Sequence, residues 1–398
     1  MRPRVLATAV VAVAIAGLWG RPLLGVAQDT PLAFTPHTIV DTGLRGGYQT
    51  IVADLNKDGR PDIIALASGV PELAWFENTG AADSWPRHVI AAGLPGQINV
   101  AAHDIDKDGI PELAVGSGFS TVYGKSSGIL TLFTHGADPK EPWTGRELDR
   151  TPTIHRLRWV DVDGKGTMVL INSVLIGSAE QVPPDYKGRT PVYYYQAPDW
   201  KRQTVTDAEE GVVHGLLVTP WEKNPGQTLL VAGFLGVHAY HFAGGKWSRT
   251  EVIKGDPTSW PKSGSSDVVF GRLAGQDRFL ATIEPWHGNQ IAVYTKDKGA
   301  WTRKVIDDGI TDGHTLVSGD FDGDGRDEVV AGERGGKRSI YLYRATTPRG
   351  DTWARQVLDE GGMAGAGCAV ADLNGDRKPD VVCIGTATQN LKWYRNGS

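Results

Sequence analysis

The chain contains little cysteine, little methionine and no strong excess of charge of either sign. Its 398 residues include two cysteines and three methionines, and 41 basic residues nearly balance 46 acidic ones. Neither Cys368 nor Cys383 resembles a catalytic nucleophile, and no basic stripe indicates a nucleic-acid partner. A glycine-rich phosphate loop and a nucleophilic serine elbow are also missing. The sequence therefore argues against thiol, serine and phosphate-loop chemistry and predicts no nucleic-acid binding.

Long apolar runs are missing except near the N-terminus. Two arginines precede an apolar stretch at Val5–Leu18, and small residues ending at Ala27 follow it. This order is typical of a secretory signal peptide. We therefore expect residues 1–27 to be removed by cleavage after Ala27, leaving a mature domain over residues 28–398. The run is short for a membrane span, although an uncleaved anchor is the alternative. We expect a secreted or periplasmic protein with no membrane span in the mature chain.

An acidic nine-residue pattern, typified by Asp54–Asp62, occurs four times along the chain. Each copy has oxygen-bearing side chains at positions 1, 3, 5 and 9, and three copies have glycine at position 6. Calcium takes about six to eight oxygen ligands, which here include a main-chain carbonyl at position 7. Apolar, β-rich residues flank each copy, so each loop is expected to join two strands. The sequence therefore predicts about four structural Ca²⁺ sites.

The predicted calcium ligands form one set in each complete loop. The four sets are Asp54, Asn56, Asp58, Arg60 and Asp62; Asp104, Asp106, Asp108, Ile110 and Glu112; Asp320, Asp322, Asp324, Arg326 and Glu328; and Asp372, Asn374, Asp376, Lys378 and Asp380. A further copy at Asp161–Lys165 has lysine at position 5, so we expect it to have lost the site.

Two other strand patterns recur with these loops. A strand that opens with tryptophan recurs at intervals of about 45–60 residues, enough for four short strands, and an apolar, aromatic-rich strand precedes each copy. Seven inner strands are expected to start near Tyr48, Ile98, His155, His214, Ser266, His314 and Ala366. The last unit stops after its third strand, and Phe34–Gly43 resembles the missing fourth one. We therefore predict an all-β, seven-bladed β-propeller whose N-terminal strand closes the last blade and removes the exposed edges.

The acidic loops between blade strands resemble FG-GAP/VCBS repeats, which form the calcium-binding propellers of integrin α-chains and of many bacterial secreted proteins. This resemblance covers nearly all of the mature chain and implies the fold and the calcium, but not an activity. Three other segments, His155–Trp159, Glu284–Asn289 and Asp312–Thr315, resemble the propeller of aldos-2-ulose (1,5-anhydrofructose) dehydratases. That narrower resemblance implies lyase chemistry on a sugar.

Histidines recur at one register position on the face opposite the acidic loops. Six residues before the first loop carboxylate, or its equivalent, three of the seven blades have histidine, namely His155, His214 and His314. His287 is predicted to lie on the same face, in a loop between second and third strands. Neutral imidazole is a ligand for Zn²⁺ and similar ions and a base near neutral pH. The four histidines are therefore predicted to be catalytic together with Tyr48, with a divalent transition metal as an open alternative.

Aromatic, amide and charged residues are predicted to surround the histidines and to bind a sugar, which offers C–H faces and hydroxyl rims. The predicted substrate-binding residues are Trp221, Glu284, Trp286, Asn289 and Arg158. The long insert at residues 177–190 is expected to form a lid on this face.

The leading interpretation is a carbohydrate lyase, or dehydratase, acting on a keto-sugar or anhydro-sugar, with His155 as the first choice for the base. The alternative is a non-catalytic propeller that binds a glycan or a protein partner. Cys368 and Cys383 are predicted to face each other on adjacent strands, as a thiol pair or as a disulfide.

Overall fold

A computed structural model describes residues 31–221, 224–275 and 277–398. The predicted signal peptide, residues 1–27, lies outside these ranges. Seven four-stranded antiparallel sheets form the blades of the ring. Among the described residues, the one helix is a short 3₁₀ turn at Tyr123–Lys125, and no helix has the length and apolar character needed to cross a membrane.

The first three blades follow one another in the chain, and each is built from its inner strand outward. The first contains β2 (Gly47–Ala53), β3 (Asp62–Ala67), β4 (Leu73–Phe76) and β5 (Arg87–Ala91). The second contains β6 (Asn99–His103), β7 (Glu112–Ser117), β8 (Ile129–Thr134) and β9 (Thr144–Arg150). The third contains β10 (Ile154–Asp161), β11 (Met168–Val174), β12 (Arg189–Tyr195) and β13 (Gln203–Glu210).

The next three blades have the same order. The fourth contains β14 (Val213–Thr219), β15 (Thr228–Gly233), β16 (Gly236–Ala243) and β17 (Lys246–Ile253). The fifth contains β18 (Asp267–Arg272), β19 (Arg278–Glu284), β20 (Gln290–Asp297) and β21 (Ala300–Asp307). The sixth contains β22 (Gly313–Gly319), β23 (Glu328–Glu333), β24 (Ile340–Ala345) and β25 (Trp353–Asp359).

The seventh blade joins the two ends of the chain, as the sequence predicted. It contains β26 (Gly365–Ala371), β27 (Asp380–Gly385), β28 (Leu391–Asn396) and, as its outer strand, β1 (Phe34–Val40). Strand β1 pairs antiparallel with β28, from Phe34 opposite Asn396 to Val40 opposite Leu391. A disulfide joins Cys368 of β26 to Cys383 of β27, which resolves the alternative that the sequence left open.

The hydrophobic core lies between neighbouring sheets. Between blades five and six, for example, Phe279 and Ile283 pack in one cluster with Leu316, Val329 and Tyr341. Residues i and i+2 of a strand share a face, so the fully buried middle strands carry apolar residues on both faces. Each inner strand begins within one residue of its predicted register position. The ends of the inner strands therefore meet around a common axis.

Candidate functional site

Four imidazoles and one phenol meet where the inner strands begin. His155, His214 and His314 stand near the starts of β10, β14 and β22, and His287 lies in the loop between β19 and β20. The ring centroids of His214 lie 4.8 Å from His155, 4.8 Å from His287 and 5.0 Å from His314. The ring of Tyr48 lies 5.0 Å from His314. The structure thus brings together all five residues that the sequence selected as catalytic.

Main-chain carbonyls fix the orientation of two of these rings. Nδ1 of His214 donates to the carbonyl of Ser266 at 3.0 Å, and Nδ1 of His314 donates to the carbonyl of Ala366. A neutral imidazole that donates from Nδ1 has its lone pair on Nε2. The Nε2 atom of His314 is buried and has no hydrogen-bond partner among the described residues. The Nε2 lone pair of His314 is therefore free, whereas that of His214 accepts hydrogen bonds from neighbouring side chains.

His287 is held by a charged pair. Arg334 donates to Nδ1 of His287 at 3.0 Å and also forms an ion pair with Asp312 at 2.8 Å. The Asp312 carboxylate itself lies 3.5 Å from the same Nδ1. With Nδ1 accepting from Arg334, Nε2 carries the proton and donates to Nε2 of His214 at 3.0 Å. The proton on His287 is thus set by its neighbours Arg334 and Asp312.

Tyr48 connects His155 to Arg156. The Tyr48 hydroxyl lies 2.6 Å from Nε2 of His155 and accepts a hydrogen bond from Arg156 at 3.1 Å. Arg156 also donates to Nε2 of His214 at 3.5 Å. Nδ1 of His155 is buried and unpartnered within the described ranges. Hydroxyl oxygens accept two hydrogen bonds, so His155 can donate from Nε2 to Tyr48 and leave its Nδ1 lone pair free.

Burial keeps the histidines neutral. Burial is the largest cause that holds the pKa of His155 and His214 well below the usual range, and the cation of Arg156 adds to it. The pKa values of His287 and His314 are lowered well below the usual range by burial and then by Arg334. Neutral imidazoles bind metals and accept protons. The site is therefore ready for either role at neutral pH.

A cavity of about 310 Å³ is lined by His155, His214 and His287, whereas His314 lines a neighbouring cavity. The wall of the first cavity also includes Tyr48, Phe119, Trp286 and Arg334. The indole Nε1 of Trp286 is buried without a hydrogen-bond partner in the described part of the chain. The predicted lid loop reaches this wall, because Tyr186 packs edge-on against Trp286 at 5.3 Å. The cavity thus combines aromatic faces with unpaired nitrogens.

Two of the predicted substrate-binding residues occupy other places. Trp221 follows β14, so it lies on the face of the loops between first and second strands and packs against Phe270 at 5.4 Å and Trp301 at 6.2 Å. Its assignment to the histidine rim was wrong because Trp221 follows the end of a first strand, and the loops between first and second strands lie on the opposite face. Arg158 lines the central channel and not the histidine cavity, since it lies two residues further along β10 than Arg156.

Glu284 and Asn289 lie close to the site in sequence but do not line the cavity. The Glu284 carboxylate is fully buried, and it accepts hydrogen bonds from Tyr294 at 2.6 Å and Thr282 at 2.7 Å and forms an ion pair with Arg303 at 2.7 Å. Asn289 donates to the carbonyl of residue 308 at 3.0 Å. Within the predicted substrate-binding set, Trp286 lines the cavity.

Sequence reasoning did not select Arg334, Asp312 or Phe119 as site residues. Arg334 directly follows β23, so it belongs to the loops between second and third strands that share this face. The sequence already indicated that loops between second and third strands share the histidine face, and the same reasoning applied to blade six would have found Arg334. Phe119 follows β7 in the same way, and its ring lies 5.7 Å from that of His155.

The four acidic loops each join the first and second strands of their blade, on the opposite face. Carboxylate oxygens of Asp104, Asp106 and Asp108 lie within 4.8 Å of one another, as do those of Asp320, Asp322 and Glu328, so both groups are candidate metal sites. In the other two loops asparagine stands at position 3.

The position-9 carboxylates close these loops from within. Asp62 accepts from the N–H of Leu55, and Glu328 accepts from the N–H of Phe321, at 2.9 and 2.8 Å. Burial, the largest cause, raises the pKa of Asp62 to about 7 and that of Glu328 to about 8. Such buried carboxylates, crowded by like charges, favour a bound cation.

A third candidate metal site is formed by His214, His287 and His314, whose ligand nitrogens lie within 4.8 Å of one another. The donor set suits an ion that prefers imidazole, because two of its Nε2 lone pairs are already oriented by carbonyls. For His287 to bind a metal through Nε2, its ring proton must be on Nδ1. From there the N–H can donate a hydrogen bond to the Asp312 carboxylate.

Comparison with known proteins divides the ring into two parts. Residues 54–115 and 320–383 match the FG-GAP-like repeat, and residues 127–297 match the beta-propeller domain of aldos-2-ulose dehydratase. The chain is thus a seven-bladed propeller with FG-GAP-like repeats in blades one, two, six and seven. The chain also shows distant homology to aldos-2-ulose dehydratase. Both resemblances drawn from the sequence are confirmed, but the FG-GAP-like match covers these two segments and not nearly all of the mature chain.

Aldos-2-ulose dehydratase of Phanerodontia chrysosporium is 26% identical over 399 residues, which cover 88% of this chain and 42% of that protein. The chain therefore spans less than half the length of this curated relative. A solved structure described as "Structure of Dos1 propeller" has a TM-score of 0.52 at 13% identity, covering 87% of this chain and 78% of that chain. This second likeness supports the fold alone.

Proposed function

We propose that this chain is a carbon–oxygen lyase that dehydrates a keto-sugar or anhydro-sugar in the histidine cavity. The observation that carries the proposal is a cluster of four imidazoles and Tyr48. His155, His214, His287 and Tyr48 line the cavity, and the ring of His314 packs against those of His214 and Tyr48. Nitrogen atoms of His155 and His314 lack partners among the described residues. Buried polar atoms without partners are rare in native proteins and point to a ligand. The distant homology to aldos-2-ulose dehydratase gives the reaction class.

In the proposed reaction His155 is the base and Tyr48 is the acid. His155 takes the proton from the carbon next to the substrate carbonyl through Nδ1, and the electron pair of that C–H bond forms the enolate. Tyr48 then donates its hydroxyl proton to the departing hydroxyl group, which leaves as water as the C–O bond breaks. The Nε2–H of His155 stabilises the Tyr48 phenolate through their 2.6 Å contact. After product release, His155 gives its Nδ1 proton to water and Tyr48 takes one proton from water, so both residues regain their starting protonation.

Charge and apolar surface support the same reaction. Arg156 and Arg334 place positive charge beside the cavity, where it stabilises a developing enolate oxygen. Trp286 and Phe119 present faces suited to the C–H side of a sugar ring and exclude water.

The triad of His214, His287 and His314 would hold a divalent transition metal such as Zn²⁺. A bound ion would supply Lewis-acid polarisation of the substrate carbonyl. We also propose that the acidic loops bind structural Ca²⁺ and that the protein is secreted or periplasmic, where millimolar calcium suits loops of modest affinity. A carbohydrate or a sugar-derived small molecule is then the natural partner.

The proposal is tested by turnover of 1,5-anhydrofructose and related keto-sugars, followed by the absorbance of an unsaturated ketone and by exchange of the α-hydrogen in deuterated water. His155→Ala and Tyr48→Phe should each lower turnover at least about a hundredfold, the usual scale for a general acid or base. His88→Ala is the matched control, because His88 lies on the outer strand β5 and pairs with Glu77.

Two results would contradict the proposal. One is turnover by His155→Ala within about threefold of the parent, which is far less than a general base contributes. The other is calorimetric sugar or protein binding with no turnover of any keto-sugar by the metal-loaded parent, which would favour the non-catalytic binding module.

A further inference from the structure

The central channel below the histidine cavity is a second cavity, of about 500 Å³. Its walls are the inner strands. Tyr48 lines both cavities, and His314 lines the channel. Its charged lining residues are Arg156 and Arg158 of β10 and Asp267 of β18. Two guanidinium groups therefore share this space with one carboxylate.

Neither guanidinium is neutralised by an ion pair within the residues that the structure describes. Arg156 donates to the Tyr48 hydroxyl and to His214, both of which are uncharged acceptors. Arg158 donates from Nη1 to the side-chain oxygen of Asn99 at 3.3 Å and to its neighbour's carbonyl at 2.8 Å. Arg156 is buried and Arg158 is half-buried. Buried charges in proteins are normally paired, so two cations without ion pairs in one channel require an explanation.

The carboxylate of Asp267 compensates them weakly. Its oxygens accept from the main-chain N–H groups of Val268 at 3.0 Å and Leu316 at 3.1 Å. Burial raises its pKa, and this outweighs the opposing effect of Arg156. In the same space, burial and then the like charge of Arg156 lower the pKa of Arg158 to about 10. The channel thus has an excess of positive charge.

We propose that the channel binds a small oxyanion between Arg156 and Arg158. The Nε and Nη2 atoms of Arg158 make no hydrogen bond in the described ranges, and its side chain lines the cavity. A guanidinium fork matches two oxygens of a sulfate, phosphate or carboxylate group. The bound anion supplies the missing counter-charge and holds Arg156, whose other donors reach Tyr48 and His214.

The test is calorimetric titration of sodium sulfate, and separately of sodium acetate, into the calcium-saturated protein in Tris–HCl buffer, which contains no oxyanion. Arg158→Met should weaken anion binding at least about tenfold, the scale of one hydrogen bond between charged groups. Arg146→Met is the matched control, because Arg146 is exposed on the outer strand β9. Tighter sulfate binding assigns the site to tetrahedral anions, and tighter acetate binding assigns it to carboxylates.

A second variant separates loss of the site from loss of the fold. Arg158→Lys retains the charge without the planar fork, so it should bind sulfate with intermediate affinity. Sulfate should raise the Tm of the parent and of Arg146→Met but not that of Arg158→Met. The proposal is overturned if the parent binds neither anion, or if Arg158→Met binds both as tightly as Arg146→Met does.

Discussion

Two parts of the ring hold their sheets together in different ways. In the acidic-loop half, formed by blades one, two, six and seven, each first loop ends in a carboxylate that accepts a main-chain N–H of the same loop, as Asp380 does from Leu373 at 2.9 Å. In the site-bearing half, formed by blades three, four and five, the equivalent loops lack this complete pattern. The blade-three loop is closed instead by Asp163, which accepts from the Thr167 hydroxyl at 2.8 Å.

The site-bearing half lacks complete acidic loops and contains two buried charge networks. Glu209 is 1% exposed and pairs with His238 at 3.1 Å and Arg249 at 3.2 Å, while Tyr240 donates to it. Glu284 forms a similar network in blade five. A related network joins blades six and seven, where Asp359 pairs with Lys392 and accepts from Tyr394. Three of the four site histidines belong to the site-bearing half. Tyr48, His314 and Arg334 come from blades one and six, so the acidic-loop half also contributes to the candidate site. The difference teaches that three blades can lose the complete acidic loop and still keep the same fold.

The largest expected effect is on ring closure in the acidic-loop half. Deleting the chain through Val40 removes β1 and leaves the edge of β28 unpaired. An exposed edge strand of this length promotes pairing between molecules, so the variant should aggregate or lose its cooperative melting transition. Deletion through Ala27 is the control and should retain solubility and Tm. A soluble, equally stable protein without β1 would show that the strand is dispensable.

Calcium should stabilise the two halves unequally. Binding to the folded state alone contributes about 2.7 kcal/mol for a site at a hundredfold excess over Kd. Chelation should therefore lower the Tm of the parent, and Asp322→Ala should remove one site from the calcium stoichiometry. Asp163→Ala, in the loop with lysine at position 5, is the matched control and should leave the stoichiometry unchanged. If the parent melts identically with and without excess chelator, the acidic loops do not stabilise their half of the ring through calcium.

The smallest effect concerns the charge network of the site-bearing half. Burial raises the pKa of Glu209, but the bonds to His238, Tyr240 and Arg249 together outweigh it and hold the pKa below its usual value. The stability from this group is therefore present above about pH 4.5 and is lost as the pH falls through the folded-state pKa. Glu209→Gln should lower the free energy of unfolding by roughly 2 kcal/mol at pH 7, because it leaves buried donors without their charge partner.

The pH dependence of that difference is the diagnostic measurement. The difference in denaturant midpoint between Glu209→Gln and the parent should narrow below pH 4.5, because the Glu209 side chain of the parent becomes protonated as the pH falls. A gap that stays constant from pH 7 to pH 4 would show that Glu209 acts through shape and not through charge.

The sequence by itself determined the ring, the strands and the acidic loops of this protein. These features depend on local patterns with a fixed spacing: alternating apolar residues, oxygens at loop positions 1, 3, 5 and 9, and an unmatched strand at each end of the chain. The register also placed His155, His214 and His314 at equivalent strand starts, and β1 in the last blade.

Only the tertiary structure decided which side chains have free atoms and which ones line the cavity. Glu284 was predicted to bind substrate, but its contacts with Tyr294 and Arg303 place it inside a buried charge network. The contact between Tyr48 and His155 joins residues 107 positions apart, and Trp221 lies on the opposite face from the site. The free atoms and the buried networks depend on partners from other blades, which no local pattern encodes.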